Sequence, residues 1–415
     1  MDERRVVTVF LANAGEILLL RRSDEVGSYP GRWGAVAGHV EGSPRESAWR
    51  EIREETGLDS DAVTLERAGE PFTVADPTVE IRWTVHPFRF AARTREIATN
   101  WETIETEWVQ PSAIRDRETV PELLTSWEQV RPTVDAVVAD TEHGSATISR
   151  RALAVLRDEA TTLEADGDWT ELVRIARRLR EARQAMAVVR VRIDRVMDRA
   201  SHDRTPAAVR EAASAEIERA TEADRAAATR AADRVSGTTV FTLSRSGTVE
   251  DALRAGSPDA VHVAVSRPGG EGEDLAASLA DRGLEVTCYG DANVPRAVAG
   301  SDLVLLGADT VLGNGDVVNK AGTTTAALAA AHADVPMLVV AASDKIGPTA
   351  EWTDERTAPE DDRSTGGVRH VDPLFERTPG DLIDGVLTED GLRSGAEIGE
   401  IAARHADLAG WMDND

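Results

Sequence analysis

The sequence predicts a multidomain protein: an α+β domain (residues 1–132), an α-helical subdomain (133–235) and an α/β domain with a parallel sheet (236–415). Three changes of pattern predict this division. Strand-like runs surround one carboxylate-rich helix, then the chain becomes rich in alanine and arginine, and finally short apolar runs alternate with helical stretches. A chain of 415 residues is long enough for two or three domains.

The net charge of −27, from 74 acidic and 47 basic residues, argues against nucleic acid as a partner. Arginine outnumbers lysine 45 to 2. This composition predicts a cytoplasm of high salt, where a Debye length of about 3 Å at 1 M screens self-repulsion. The single cysteine, Cys288, fits a reducing compartment. No signal-peptide pattern precedes the first apolar run, and no apolar run approaches membrane-spanning length. We therefore expect a cytoplasmic protein without a membrane partner.

In the first domain, strands are predicted at residues 6–11, 17–20, 80–90 and 105–109. Between them, Ser43 and Pro44 predict the start of a helix, and Gly57 predicts its end in a left-handed cap.

Three carboxylates of this helix, Glu51, Glu54 and Glu55, are spaced i, i+3 and i+4 and so share one face. Like charges on one face destabilise a helix unless a cation lies among them. Mg²⁺ suits this arrangement, because it binds a few carboxylates together with substrate phosphates and water. The alternative is a solvated acidic helix in a very acidic protein. Glu102 is a candidate general base or ordinary surface charge, whereas Trp33 and Trp49 are expected to be core residues rather than base-stacking ones.

The run GHVEGSPRESAWREIREETGL, residues 38–58, resembles the signature of the Nudix hydrolases, which cleave nucleoside diphosphates linked to another group. Families of this kind usually carry two more residues before Arg50, including a glutamate where Pro44 stands here. The resemblance implies Mg²⁺ or Mn²⁺ as cofactor and Arg50 as the residue that orients a glutamate. The metal ligands that it implies are Gly38 (through its carbonyl), Glu51, Glu54 and Glu55.

In the second part of the chain, helices are predicted at residues 148–164, 169–197 and 205–234, the third being a connector or dimer-lining helix. In the third part, strands predicted at 239–243, 260–265, 285–289, 303–306 and 337–341 indicate a doubly wound parallel sheet. Ligands bind such sheets at the carboxyl ends of the strands. Two polar clusters, residues 242–247 and 307–309, lie at predicted strand ends there. Lys320, at a predicted helix start, favours an anion, and both lysines of the chain, Lys320 and Lys345, lie in this domain.

Residues 145–395 resemble a second family: the α/β/δ regulatory subunits of translation initiation factor 2B, methylthioribose-1-phosphate isomerase and ribose-1,5-bisphosphate isomerase. The motifs are SRPGGEG (266–272), GADTVLGNGDVVNKAGT (307–323) and DPLFERTPGDLIDGVLTEDG (372–391). The resemblance implies a Rossmann-like domain and a homo-oligomer, with a dimer expected, formed through this region. It assigns catalysis at sugar carbons C1 and C2 to Asp309, and it places Ser244 where the isomerases have a cysteine. A serine hydroxyl ionises far above neutral pH, unlike a cysteine. The substrate-binding candidates are Arg183, Arg245, Asn319 and Lys320.

Two hypotheses follow. In the first, the chain is a two-step enzyme that converts phosphoribosyl pyrophosphate to ribose 1,5-bisphosphate and then to ribulose 1,5-bisphosphate. In the second, a hydrolase acting on a nucleotide or sugar-phosphate substrate carries a noncatalytic phosphate-sensing domain. A translation-factor partner is a third possibility that rests on family analogy alone.

Overall fold

The computed structural model describes residues 2–13, 15–77, 79–140, 143–163, 167–352 and 373–413. The chain forms two compact units, Met1–Thr133 and Val134–Asp415, and the helical and sheet segments lie together in the second. Residue 164 of one predicted helix and residue 372 of the last motif lie outside the described residues. Within the described part of the chain, no helix combines the length and apolar character that crossing a bilayer requires.

The first unit is built on an eight-stranded sheet with the order β3-β2-β1-β7-β5, in which β4 pairs with β1, β6 with β7 and β8 with β2. Two helices, α1 and α2, accompany it. The strands are β1 (Asp2–Asn13), β2 (Glu16–Arg22), β3 (Trp33–Gly34), β4 (Val36–His39), β5 (Val63–Ala68), β6 (Phe72–Asp76), β7 (Ile81–Ala92) and β8 (Thr103–Val109). The helices are α1 (Pro44–Thr56) and α2 (Leu123–Val130).

Alternation along β1 gives this sheet two buried faces. Val9 and Leu11 face the cluster that contains Ile52 of α1, whereas Phe10 lies in the cluster that contains Trp127 of α2. The four predicted strands are confirmed as β1, β2, β7 and β8. The short strands β3 to β6 and helix α2 were not predicted, because β5 and β6 carry charged residues and lack long apolar runs.

The second unit begins with five helices: α3 (Val134–Ala139), α4 (Ser145–Leu163), α5 (Trp169–Glu181), α6 (Ala187–Ala200) and α7 (Pro206–Val235). The prediction of one helix over 169–197 is wrong, because the chain breaks between α5 and α6. Thr310 stabilises the break. Its hydroxyl accepts a hydrogen bond from the Ala187 amide (2.8 Å) and donates one to the Ala185 carbonyl (2.7 Å), groups that a continuous helix would pair within itself.

The remainder of the unit alternates strands and helices around a seven-stranded sheet of order β11-β10-β9-β12-β15-β17-β18. All neighbouring strands run parallel except the last pair. Strands β13, β14 and β16 form a separate small sheet. The strands are β9 (Thr239–Leu243), β10 (Ala260–Ala264), β11 (Val286–Tyr289), β12 (Leu303–Leu306), β13 (Thr310–Val311), β14 (Val317–Lys320), β15 (Met337–Val340), β16 (Phe375–Thr378), β17 (Gly385–Thr388) and β18 (Gly391–Arg393). The helices are α8 (Gly247–Gly256), α9 (Glu271–Ala280), α10 (Val294–Ala299), α11 (Thr323–Ala333) and α12 (Gly395–Asp407).

All five predicted parallel strands are confirmed, with boundaries within one residue of those expected. The strand order reverses at β9, whose neighbours are β10 and β12. The polar segments after β9 and β12 therefore leave the sheet at a switch in strand order, where ligands bind in sheets of this kind.

A buried ionic network joins the helices of the second unit to its sheet. Arg192 on α6 is fully buried and donates to Asp344, which follows β15 (2.9 Å), and to Asp224 on α7 (3.1 Å). Asp344 also contacts Arg195 at 2.9 Å and Arg219 at 2.5 Å. Burial alone would raise the pKa of the Asp344 carboxyl, but the three guanidinium charges outweigh it and hold the pKa well below its usual range.

The buried His405 side chain on α12 makes the stability of this unit depend on pH. Its buried ring lies between the Ile346 carbonyl (Nδ1, 2.8 Å) and Arg195 (Nε2, 3.3 Å), so Nδ1–H donates and Nε2 accepts. Burial lowers its pKa below the ordinary value of 6.5. The unfolded chain therefore binds a proton more readily, and stability falls as the pH drops through about 6.5.

We expect His405→Gln to flatten the fall in melting temperature between about pH 8 and pH 5. His332→Gln, at an exposed position on α11, is the matched control and should leave the slope unchanged. Equal slopes in wild type and His405→Gln would contradict the assignment.

Candidate functional site

Helix α1 begins and ends where the sequence predicts. The Ser43 hydroxyl accepts a hydrogen bond from the Glu46 amide (3.2 Å), and the Glu46 carboxylate accepts one from the Ser43 amide (3.4 Å), which completes a capping box. At the other end Gly57 takes the left-handed conformation (φ 71°) and its amide donates to the Arg53 carbonyl. These caps fix which residues of α1 face the sheet.

The three carboxylates that share one face of α1, Glu51, Glu54 and Glu55, have different environments. Glu55 is buried and accepts a hydrogen bond from the Ala37 amide of β4 (3.1 Å), whereas Glu54 is exposed. The Glu51 side chain is only 12% exposed and lies against Gly38 of β4. A Cβ atom at residue 38 would stand 2.0 Å from Cδ of Glu51, so only glycine leaves room for this carboxylate.

Two of these carboxyl groups hold protons unusually strongly. Burial raises the pKa of Glu55 to about 8, and the charges of Glu102 and Glu51 add to the effect. Burial also raises the pKa of Glu51, and this effect outweighs the ion pair with Arg50, which lowers it. The charges of Glu54 and Glu102 add smaller contributions to the rise. Glu102, just before β8, therefore lies close enough to α1 to act on two of its carboxylates.

Arg50 connects three parts of this site. Its guanidinium donates to Glu51 (3.1 Å), to the His39 carbonyl at the end of β4 (3.0 Å) and to Glu41 in the loop before α1 (3.1 Å). The expected contact between Arg50 and a glutamate is thus present. Its charge-assisted bonds hold the Glu51 carboxylate beside Gly38.

The oxygen-rich donor set suits a hard divalent cation that brings further ligands of its own. Within the described residues, no three His, Cys, Asp or Glu side chains converge closely enough to hold a metal ion by themselves. Glu51 and Glu55 nevertheless lie in a shared negative field with Glu102. Mg²⁺ commonly binds through one or two carboxylates together with substrate phosphates and waters, which matches this set.

The tryptophans near the site divide into packed and exposed residues. Trp49 packs edge-on against Phe90 (4.8 Å between ring centroids), and Trp33 lies under the Arg117 guanidinium (4.5 Å). Both make packing contacts, as expected. Trp101, which precedes Glu102, is 61% exposed, and the sequence analysis did not single it out.

In the second unit, the residues after β9 and β12 lie at adjacent strand ends. Ser244 takes the left-handed conformation (φ 57°), and its amide donates to the Ser266 hydroxyl (2.7 Å). Asp309 is partly buried, and its amide donates to the Val318 carbonyl (3.0 Å). The two residues that the isomerase resemblance singles out therefore follow adjacent strands at the switch point.

Lys345 supports the segment that carries Asp309. Its buried ammonium donates to the carbonyl of Ala308 (2.6 Å), the residue directly before Asp309. Burial lowers the pKa of Lys345, and the charge of Asp309 acts in the opposite direction.

The anion-binding groups around Lys320 contact carboxylates of the chain itself. The Lys320 ammonium pairs with Glu271 at the start of α9 (2.7 Å). The amides of Gly322 and Thr324, at the start of α11, both donate to Glu376 of β16 (2.8 Å each). The sequence analysis missed both glutamates. Glu271 lies inside the SRPGGEG motif, which was the available signal.

The remaining substrate-binding candidates lie in three places. Asn319 donates to the Thr323 hydroxyl (3.1 Å) at the start of α11. Arg183 lies in the break between α5 and α6 and donates to the Asp140 carbonyl. Arg245 is exposed and lies 3.7 Å from Glu250. The structure thus places Ser244, Asp309, Asn319 and Lys320 around the strand ends and binds Arg183 to the end of α3.

A cavity of about 170 Å³ lies beside the segments that carry Ser244 and Lys320. Its walls include Leu243 and Ala264, the last residues of β9 and β10, and Gly322 and Thr325 at the start of α11. It therefore lies at the carboxyl ends of β9 and β10. Ala321, which directly follows Lys320 in the chain, also lines it.

Residues 141–394 match the Initiation factor 2 subunit family, and residues 2–127 match the NUDIX domain. The chain belongs to the Initiation factor 2 subunit family. Its first unit is a NUDIX domain, and both predicted resemblances are confirmed, as is the architecture of an α+β region followed by an α/β region.

The relatives of this Initiation factor 2 subunit family member include sugar-phosphate isomerases. It is 37% identical over 134 residues to ribose 1,5-bisphosphate isomerase of Archaeoglobus fulgidus, a match that covers 30% of this chain and 43% of that protein. It is 35% identical over 159 residues to methylthioribose-1-phosphate isomerase of Pseudomonas fluorescens, covering 35% and 44%. The chain spans less than half the length of these two relatives.

The fold of translation initiation factor eIF-2B from Pyrococcus horikoshii OT3 is similar to that of this family member. The TM-score is 0.54 at 23% identity, over 62% of this chain and 94% of that one. This similarity shows the fold alone.

Gly38→Ala tests the carboxylate arrangement. The added methyl group has to displace Glu51 from beside β4 and away from its bond with Arg50, because the two would overlap. We expect the affinity for Mn²⁺, followed by electron paramagnetic resonance, to fall about 10- to 100-fold. Gly27→Ala is the control, since a Cβ there has no atom within 4 Å, and it should bind Mn²⁺ like wild type. Unchanged affinity in Gly38→Ala would count against Glu51 as a ligand.

Proposed function

We propose that the first unit is a Mg²⁺-dependent pyrophosphohydrolase and that the second unit binds and isomerises a phosphorylated ribose. The observation that carries the first half is the group of carboxylates Glu51, Glu55 and Glu102 on and beside α1 of a NUDIX domain. The mutual repulsion of these carboxylates, together with the raised pKa values of Glu51 and Glu55, supports a site completed by a cation.

In this proposal Glu51, Glu54, Glu55 and the Gly38 carbonyl would hold the metal, and waters and substrate phosphate oxygens would supply the ligands that these side chains alone do not. A bound Mg²⁺ or Mn²⁺ stabilises charge on the pyrophosphate and lowers the pKa of the attacking water. Arg50 keeps Glu51 in place, and Glu102 is the candidate general base that accepts the proton of that water.

The substrate is proposed to be a nucleoside diphosphate derivative or phosphoribosyl pyrophosphate. Hydrolysis of the latter between its two pyrophosphate phosphorus atoms consumes one water and yields ribose 1,5-bisphosphate and phosphate. That product is the substrate of the isomerase of Archaeoglobus fulgidus, by its name, which supports a two-step sequence within one chain.

For isomerisation, Asp309 and Ser244 follow adjacent strands, where a sugar can bind. In the conversion to ribulose 1,5-bisphosphate the ring C1–O4 bond breaks, O4 gains a proton, the hydrogen on C2 moves to C1, and the C2 hydroxyl loses its proton and becomes the carbonyl. The Asp309 carboxylate would take the proton of the C2 hydroxyl and deliver it to O4, and the Ser244 hydroxyl would hydrogen-bond the C2 oxygen. Lys345 positions the Asp309 segment through the Ala308 carbonyl.

A second candidate function is that of a sensor, in which a sugar or nucleotide phosphate bound to the second unit adjusts the hydrolase. Ser244 favours it, because a serine hydroxyl is a far weaker acid than the cysteine thiol of the isomerases. Both functions need the same phosphate-binding site. An isomerase would convert the bound sugar phosphate to product, whereas a sensor would release it unchanged.

The second unit is also proposed to form a homo-oligomer, and the protein to work in a cytoplasm of high salt. The proposal rests on the resemblance of this unit to a family whose members are oligomeric. A monomer in sedimentation velocity in molar KCl would contradict it.

Glu54→Gln tests the hydrolase. Because Glu54 is exposed, its loss removes a proposed metal ligand without opening the core. We expect Mg²⁺-dependent hydrolysis of phosphoribosyl pyrophosphate or ADP-ribose to fall roughly 100-fold at an unchanged melting temperature. Asp61→Asn, an exposed change of the same charge just beyond α1, should keep full activity. Full activity in Glu54→Gln would remove it from the metal site.

Phosphorus NMR of ribose 1,5-bisphosphate, incubated with the protein in molar KCl, tests the isomerase. We expect ribulose 1,5-bisphosphate to appear and Asp309→Asn to abolish it, because the amide cannot accept a proton. Arg245→Gln is the comparison variant, because Arg245 is an exposed candidate for substrate binding and not for catalysis. It should change KM more than kcat. An unchanged spectrum with folded wild type would reject the isomerase and leave the sensor.

A further inference from the structure

The Lys320 side chain occupies an uncommon position for a binding group. It is only 5% exposed at the end of β14, and its ammonium lies 2.7 Å from Oε1 of Glu271. The Glu271 side chain is 40% exposed, whereas the Lys320 side chain is buried. Because Glu271 already pairs with the ammonium, a ligand anion that binds Lys320 has to compete with this carboxylate.

The loop before α9 is shaped around this carboxylate. Gly269 and Gly270 both have positive φ angles (103° and 82°), and a Cβ at Gly269 would lie 2.5 Å from Oε1 of Glu271. Gly272 approaches the Ala264 carbonyl so closely that a Cβ would stand 1.9 Å from its oxygen. The glycines thus allow the carboxylate to fold back over the loop while α9 stays against β10.

The Glu271 carboxylate is incompletely bonded where it lies. Its Oε2 atom is buried and has no hydrogen-bond partner among the described residues. Glu376, by contrast, receives two backbone amides on a single oxygen. A buried carboxylate oxygen without a donor raises the free energy of the closed arrangement, so Glu271 is the more readily displaced of the two.

We propose that Glu271 is an internal competitor for Lys320, and that a phosphorylated ligand binds the second unit only by displacing its carboxylate. The proposal rests on the phosphate site proposed for that unit. A phosphate monoester brings about two negative charges and three acceptor oxygens, so it can replace one carboxylate at the ammonium. A neutral sugar cannot, and it is therefore excluded. Glu271 acts in this way as a specificity-determining residue.

Glu271→Gln tests the competition directly. We expect the full-length variant to bind ribose 1,5-bisphosphate about tenfold or more tightly than wild type, because the ammonium no longer has to leave a carboxylate. The affinity is measured by calorimetry in one KCl buffer that contains EDTA, so that the hydrolase is idle. Lys320→Met in the Glu271→Gln background should remove the gain.

Glu273→Gln is the matched control, because it makes the same charge change two residues along the same helix. Glu273 is exposed and lies 3.5 Å from Arg267, so its change should alter affinity less than about twofold. Glu271→Asp is a second variant for the case that Glu271→Gln does not fold. It keeps the charge but shortens the side chain, and it should bind more tightly than wild type.

Weaker or unchanged binding in folded Glu271→Gln would overturn the proposal, and weaker binding would make Glu271 a ligand contact instead. The absence of binding by every variant would overturn it as well. Tighter binding without formation of ribulose 1,5-bisphosphate would support the competitor and reject the isomerase, so the two failures are distinguishable.

Discussion

The second unit depends on the burial of one guanidinium group, that of Arg192. A guanidinium stays charged even in the interior, so the fold has to supply anions to it, and removing one partner of such a buried pair costs about 3–5 kcal/mol. Asp224 and Asp344 meet this requirement from α7 and from the end of β15. Lys345 directly follows Asp344, and its ammonium donates to the carbonyl of Ala308, the residue before Asp309. The ion pair between Arg192 and Asp344 therefore also helps to hold the segment that carries the candidate catalytic aspartate.

The two units treat buried charge in opposite ways. In the NUDIX domain, the negatively charged side chains Glu51, Glu55 and Glu102 lie near one another, and burial raises the pKa of Glu55 to about 8. In the second unit, the cationic groups at the strand ends are matched by carboxylates of the chain, with Lys320 paired to Glu271. In the proposed function, an added cation would complete the first arrangement. In the second, the Lys320 charge is already paired with Glu271, and an anionic ligand that binds the ammonium has to exchange with that carboxylate.

Local signals predicted much of the fold, and contacts between distant residues account for what they did not predict. The ends of α1 follow from Ser43, Pro44 and Gly57, and apolar runs of four to six residues located the five parallel strands. The break between α5 and α6 depends on Thr310, 123 positions from Ala187, and no pattern within 169–197 encodes it. Likewise, Glu271 pairs with Lys320, 49 positions away. The position of Lys320 near a predicted helix start could indicate an anion site, but it could not show that Glu271 occupies that site.

The small number of lysines has a chemical consequence. The chain has only two lysines, and both Lys320 and Lys345 are buried, so its surface presents arginine guanidinium groups but no lysine amine. Acylating reagents directed at lysine therefore find both targets behind packed protein. Lys320 lies behind one carboxylate and Lys345 behind a backbone carbonyl of the interior. The rate at which Lys320 is acylated is thus a measure of how often the mouth of the second site opens, with Lys345 in the same molecule reporting deeper unfolding.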